Sequence, residues 1–248
     1  MRKKLLKVLS ITLVATAILT NSAFAATTEN SQADLVSAGV AIVTSDIKSG
    51  EGTVADVNTL VELAKGGNIE AEKALLSFDC FNEDMVNEVT ANVTVEPNTE
   101  KTFLFDDGSS IILKNVTAPA NVSLMSIPTT VTLLSRYPTA PQTTYIYESH
   151  NLLGVALYTH GGSVTWYDSS INSCRITSTA PYIAGSFITI SNPSSSVITS
   201  GQQVATFSVS ASISYVEYGI TLWSKSGTDV MYVETAGCAG FSSKGLCN

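Results

Sequence analysis

Histidine, tryptophan and cysteine are scarce in this chain, and basic residues are few. Its 248 residues include two histidines, two tryptophans and four cysteines, with 13 lysines and arginines against 21 acids for a formal charge of −8. A surface this acidic repels nucleic-acid backbones and anionic polymers, which excludes nucleic acid as a partner. No C-x-x-C pair exists and neither histidine lies near a cysteine in sequence. The spacings of ordinary zinc sites are therefore missing, and neither a metal nor a cofactor is expected. The G-x-S-x-G elbow, the H-E-x-x-H helix and the glycine-rich phosphate and dinucleotide loops are missing too, and with them the patterns that would mark an enzyme. A second long apolar run is also lacking, so no stable membrane anchor is expected.

The one apolar run belongs to the amino end. Arg2, Lys3, Lys4 and Lys7 precede an apolar stretch from Ser10 to Thr20, which Ala23-Phe24-Ala25 follows. Charge, a short apolar core and small residues in this order make residues 1–25 a secretory signal peptide, cut between Ala25 and Ala26. Cleavage removes those four bases and no acid, so −8 becomes −12 in a secreted, extracellular chain. In that oxidising setting four cysteines read as a disulfide framework with three pairings open. The favoured one closes a Gly- and Ser-rich loop between Cys238 and Cys247 and leaves Cys80 to pair with Cys174.

Residues 26–90 carry twelve acids against Lys48, Lys65 and Lys73, and they read as a helical segment. Val54, Val57, Leu60, Val61 and Ala64 line one face of a helix capped by Thr53 and stopped by Gly66-Gly67. Asn68 caps a second helix whose buried side is Ala71, Ala74, Leu75 and Phe78. Residues 33–47 add a third. Beyond them, residues 91–115 read as a β-hairpin about Asp107-Gly108, because both turn residues tolerate positive φ. Residues 116–142, with Pro119, Pro128, Pro138 and Pro141, read as a linker. Short strands with no helix between them fill residues 143–248, separated by turns at Asp168–Ser170, Asn192-Pro193-Ser194, Ser200-Gly201 and Ser226–Asp229 and with His160-Gly161-Gly162 as a tight turn. In Phe207–Tyr215 every odd position is apolar and every even one serine; the pattern then moves to even positions at Val216, which demands a bulge, bend or turn there. The expected fold class is α+β, a small amino-terminal helical segment followed by a mainly antiparallel β-sandwich.

The segments Asn151–Leu157, Val164–Tyr167, Ile176–Ser178 and Tyr218–Trp223 resemble a pattern found in small secreted β-sandwich proteins of Gram-positive bacteria. The resemblance covers about the last hundred residues, implies an exported sandwich and supplies no catalytic residues.

Three functional readings compete. The favoured one is a non-enzymatic extracellular or cell-envelope binding module that engages a glycan or an extracellular protein through aromatics of the β region, with Trp166, Tyr167, Tyr218 and Trp223 as candidate contacts. A second is an antimicrobial or toxin-like factor whose acidic propeptide runs from Ala26 to about residue 135. The third is an extracellular hydrolase with His150 or His160 as base, a serine nucleophile and Asp168 as orienting carboxylate. Asp106-Asp107-Gly108 lacks the distal acid of a calcium loop and reads as turn chemistry.

Overall fold

The computed structural model describes residues 29–91, 93–120, 140–170, 173–217, 220–235, 237–244 and 246. The signal peptide, the Ala25/Ala26 junction, Tyr218 and Cys247 lie outside the described residues. Among the described residues four helices come first in chain order, α1 (Glu29–Lys48), α2 (Val54–Lys65), α3 (Ile69–Leu76) and α4 (Glu83–Thr90), with a 3-10 turn at Asp79–Phe81 between the last two. Eleven strands follow: β1 (Thr94–Val95), β2 (Thr99–Leu104), β3 (Ser109–Pro119), β4 (Gln142–Leu152), β5 (Val155–Ser170), β6 (Ser173–Pro181), β7 (Ala184–Gly185), β8 (Thr189–Thr199), β9 (Val204–Glu217), β10 (Ile220–Glu234) and β11 (Ala239–Ser243). The class is α+β with antiparallel sheets.

Local chemistry accounts for the helices. Thr53 accepts from the Asp56 amide while the Asp56 carboxylate accepts from the Thr53 amide, a reciprocal capping box at the start of α2. Asn68 and Asn82 cap α3 and α4 in the same way through their side-chain oxygens. Val57, Leu60, Leu75, Phe78 and Phe81 then share one apolar cluster with residues of both sheets. An isolated helical hairpin has nowhere to put such a face; here β5 and the strand ends of β3 and β4 receive it.

The strands form two sheets. One runs β1-β11-β10-β9-β8 and the other β2-β3-β4-β5-β6, with β7 on β5. The β2–β3 hairpin turns at Asp107-Gly108, where Gly108 has φ +83°. Asp107 holds the turn, accepting from the Ser109 amide and hydroxyl and from the Asp79 amide of the 3-10 turn. Because β3 continues to Pro119 and pairs with β4 from Gln142 onward, this hairpin belongs to the same sheet as the strands beyond residue 142. Residues 121–139 of the expected linker lie outside the described residues.

Three expected breaks are not breaks. β5 runs straight through His160-Gly161-Gly162. The glycines serve close approach: a Cβ on Gly161 would stand 2.1 Å from the Ile146 carbonyl oxygen, and one on Gly162 would stand 2.7 Å from Val209 Cγ2 of the other sheet. Asn192-Pro193 is a register irregularity within β8, an edge strand where proline costs no ladder bond. β10 passes unbroken through Ser226–Asp229. The phase change expected at Val216 falls slightly later, as the β9–β10 connection after Glu217 and an irregularity between Thr221 and Trp223.

The Cys80–Cys174 disulfide is not formed; both are buried thiols. Cys80 sits where its carbonyl meets His150, which lies opposite Tyr158, whereas Cys174 lies opposite Asp168, ten residues further along β5. Ten strand residues span roughly 33 Å, far beyond the reach of a disulfide. Burial pushes both thiols up to about 12, which makes them poor nucleophiles.

Candidate functional site, a buried histidine and carboxylate cluster

Glu148 and His150 are two residues apart on β4 and point to the same side of the sheet, as alternation requires. His160 of β5 faces them only because of a bulge. The β4–β5 hairpin begins in the register Leu152–Val155 and Asn151–Ala156, then shifts by one so that His150 faces Tyr158 and Glu148 faces His160. The extra residue is Leu157. Without it Glu148 would face Thr159 and His160 would turn to the opposite side.

Three layers meet at this cluster. The Cys80 carbonyl and Thr90 come from the helical part, Glu148, His150, Tyr158 and His160 from one sheet, and Asp229 from β10 of the other. Lys244 and Leu246, just past β11, complete it. Glu148, His160 and Asp229 are fully buried and His150 is 1% exposed. His160 Nδ1 lies 2.6 Å from Asp229 Oδ2, and the Leu246 amide donates to Asp229 Oδ1 at 3.0 Å. His150 Nδ1 donates to the Cys80 carbonyl. The Nε2 atoms of both imidazoles lie 3.4 Å from the same oxygen, Glu148 Oε1. Lys244 Nζ donates to the other oxygen, Oε2, and to Thr90 Oγ1. The Tyr158 hydroxyl donates to the Leu246 carbonyl at 3.0 Å. Phe81 stacks on His150, Tyr158 on His160, and Phe241 meets His160 edge-on.

Burial pushes the Glu148 carboxyl up, but hydrogen bonds and charge from His150 and His160 outweigh it and hold the group well below the ordinary glutamate range. The imidazole tautomers follow from their partners. A backbone carbonyl only accepts, so His150 carries a proton on Nδ1; the Asp229 carboxylate demands the same of His160.

The sequence candidates fall elsewhere. Trp166 is 1% exposed and its indole N–H donates to Thr144 Oγ1 at 2.8 Å, so it is a core residue and not a ligand contact. Its bond continues through Thr117 to Asn115, which holds the Val95 and Gly237 carbonyls. Tyr167 is half-buried on the opposite side of β5. Trp223 lies in β10, its side chain outside the described residues. Asp168 does not orient either histidine; His160 takes Asp229 instead.

Asp168 is 5% exposed and neither carboxylate oxygen has a hydrogen-bond partner. Desolvation pushes it up to about 6. Since the folded value lies above the unfolded one, this group favours folding only while protonated. Its cost appears as pH rises from about 4 to about 6 and stays at neutral pH. Asp168→Asn is expected to add about 2 kcal/mol of stability at pH 7 and almost nothing at pH 4; urea denaturation at the two pH values measures this.

No family model, no curated protein and no solved structure matches this chain.

Proposed function

We propose that the protein is a secreted, non-enzymatic binding module built as a β-sandwich, and that it engages a neutral glycan through tyrosines on the outer face of the β3–β6 sheet. The observation that carries this reading is the placement of Tyr145 and Tyr167. They alternate with the buried residues Ile146 and Trp166 and so share the other face of the sheet, on which Tyr147 is itself buried. Tyr145, Tyr167 and Tyr182 are half-buried, which leaves ring surface open for stacking. The rings of Tyr147 and Tyr182 lie 5.4 Å apart at 46°. Thr143 and Thr165, bonded to each other at 3.0 Å, add hydroxyls beside Tyr145 and Tyr167.

Rings with flanking hydroxyls suit a sugar, and the charge of −12 left after signal cleavage favours an uncharged polymer over an anionic one. Enclosure of the only two histidines supports a non-catalytic role, since general acid–base work requires contact with substrate. Intact export is supported as well, because a cut near Arg136 would strip β1 from one sheet and β2 and β3 from the other.

Two measurements test the proposal. Intact mass of the protein in culture supernatant should correspond to a chain beginning at Ala26, whereas a product starting near Arg136 contradicts it. Purified protein should be retained on an insoluble neutral polysaccharide, and Tyr145→Ala, Tyr167→Ala and Tyr182→Ala should each weaken retention by about 5- to 10-fold, the loss of roughly 1 kcal/mol per stacked ring. Retention unchanged by all three, or no retention of the native protein, removes the reading.

A further inference from the structure

We propose that Glu148, His150 and His160 form a resident site for one divalent transition-metal ion of the zinc class, held at the junction of the helices and the two sheets. The proposal stands apart from the glycan reading and rests on different residues.

The ligand atoms already converge: one atom from each of the three residues lies within 4.8 Å of the others. Both Nε2 to Oε1 distances are 3.4 Å. Ligands at about 2.0–2.2 Å from a tetrahedral ion stand about 3.3–3.5 Å from one another, so these two edges need almost no adjustment to take one. The imidazoles are also held in the state that an ion requires. His150 gives its Nδ1 proton to the Cys80 carbonyl and His160 gives its own to Asp229. Each Nε2 is thereby the ring nitrogen that carries the lone pair, in the histidine–carbonyl and histidine–carboxylate arrangements that orient metal-binding imidazoles. Lys244 and Thr90 act one step further out, since Lys244 occupies Oε2 and leaves Oε1 to face the imidazoles.

Charge favours a cation at that point. With both imidazoles neutral, the state in which they bind a metal, Glu148 and Asp229 against Lys244 leave one negative charge inside a closed volume. A proton can answer the charge but not the geometry, because a proton on one Nε2 donates to Oε1 while the second Nε2 still turns its lone pair toward the same oxygen. A divalent ion accepts from all three. Two imidazoles and one carboxylate suit zinc and its neighbours, whereas calcium and magnesium prefer oxygen throughout. Enclosure implies that the ion enters as the chain folds.

The test uses the whole secreted chain, unfolded with chelator and refolded with or without Zn²⁺ or Co²⁺. After exhaustive dialysis the refolded protein should hold one zinc per chain by elemental analysis and melt at higher temperature than the metal-free form. The cobalt form should show visible bands of a tetrahedral site without a thiolate charge-transfer band, which separates this site from binding at the cysteines. His150→Gln should lower affinity by about 100-fold, and Asp229→Asn, acting through His160, by about 10-fold. Cys174→Ser should leave binding unchanged. Less than about a tenth of an ion per native chain, a thiolate band, or full binding by His150→Gln overturns the proposal. Should the variants fail to fold, the stoichiometry and cobalt spectrum of the native chain decide it alone.

Discussion

Lys244→Met is expected to destabilise the metal-free protein by about 3–5 kcal/mol, roughly a third to a half of the stability of an ordinary domain. The lysine side chain is 7% exposed and its partner Glu148 is not exposed at all. Deleting the ammonium therefore takes the cation from Oε2 of a carboxylate that water cannot reach and leaves only the two imidazoles on Oε1 to offset its desolvation. The same reasoning predicts a partial rescue. Adding Glu148→Gln removes the stranded charge, so the double variant should be more stable than Lys244→Met alone by about 2 kcal/mol, a coupling that a surface pair would not show. Urea denaturation of the four proteins in chelator measures the cycle. Additive losses below about 1 kcal/mol would mean that the pair is solvated.

The second large effect belongs to a residue without a side chain. Gly161→Ala is expected to prevent accumulation of folded protein, with a cost above about 4 kcal/mol, because the new Cβ meets the Ile146 carbonyl at 2.1 Å and the Tyr147 Cα at 2.7 Å, both backbone atoms. Only separation of β4 from β5 relieves the overlap, and that separation pulls His160 away from Glu148. Gly154→Ala in the hairpin turn provides the control. Its φ is +82° but nothing lies within 4 Å of the added atom, so its cost is the backbone term alone, about 1 kcal/mol. Thermal denaturation, or yield of soluble protein where no folded Gly161→Ala is obtained, separates the two.

Much of this architecture can be read from the chain because local rules settle it. Thr53 and Asp56 mark the start of α2, Asn68 that of α3, and Asp107-Gly108 the turn between β2 and β3, each through bonds made within a few residues. Strand lengths are less legible. Gly161-Gly162 and Ser226–Asp229 have the composition of turns, and only the backbone of a neighbouring strand or the side chains of the facing sheet reveal that they lie within strands. α4 carries little sequence signal, since its eight residues bury only Val86 and Thr90.

The cluster itself was illegible for a definite reason. Its two histidines stand out by scarcity, but no motif or spacing marks Glu148, Asp229 or Lys244 as their partners. Alternation places Glu148 beside His150, yet a regular two-residue turn at Leu153-Gly154 would put His160 on the wrong face. The bulge at Leu157 corrects this, and nothing in the residue string announces a bulge. Trp166 illustrates the converse: an aromatic that composition offers as a contact is consumed by a core hydrogen bond to Thr144.

Imidazole nitrogen NMR of the folded protein tests most directly whether this junction of helices and sheets is closed around two oriented histidines. The account predicts two Nδ1 protons that exchange slowly with water, one from His150 and one from His160, with the His160 signal changed by Asp229→Asn. Rapid exchange at both rings, or protons borne on Nε2 with Nδ1 bare, would contradict it.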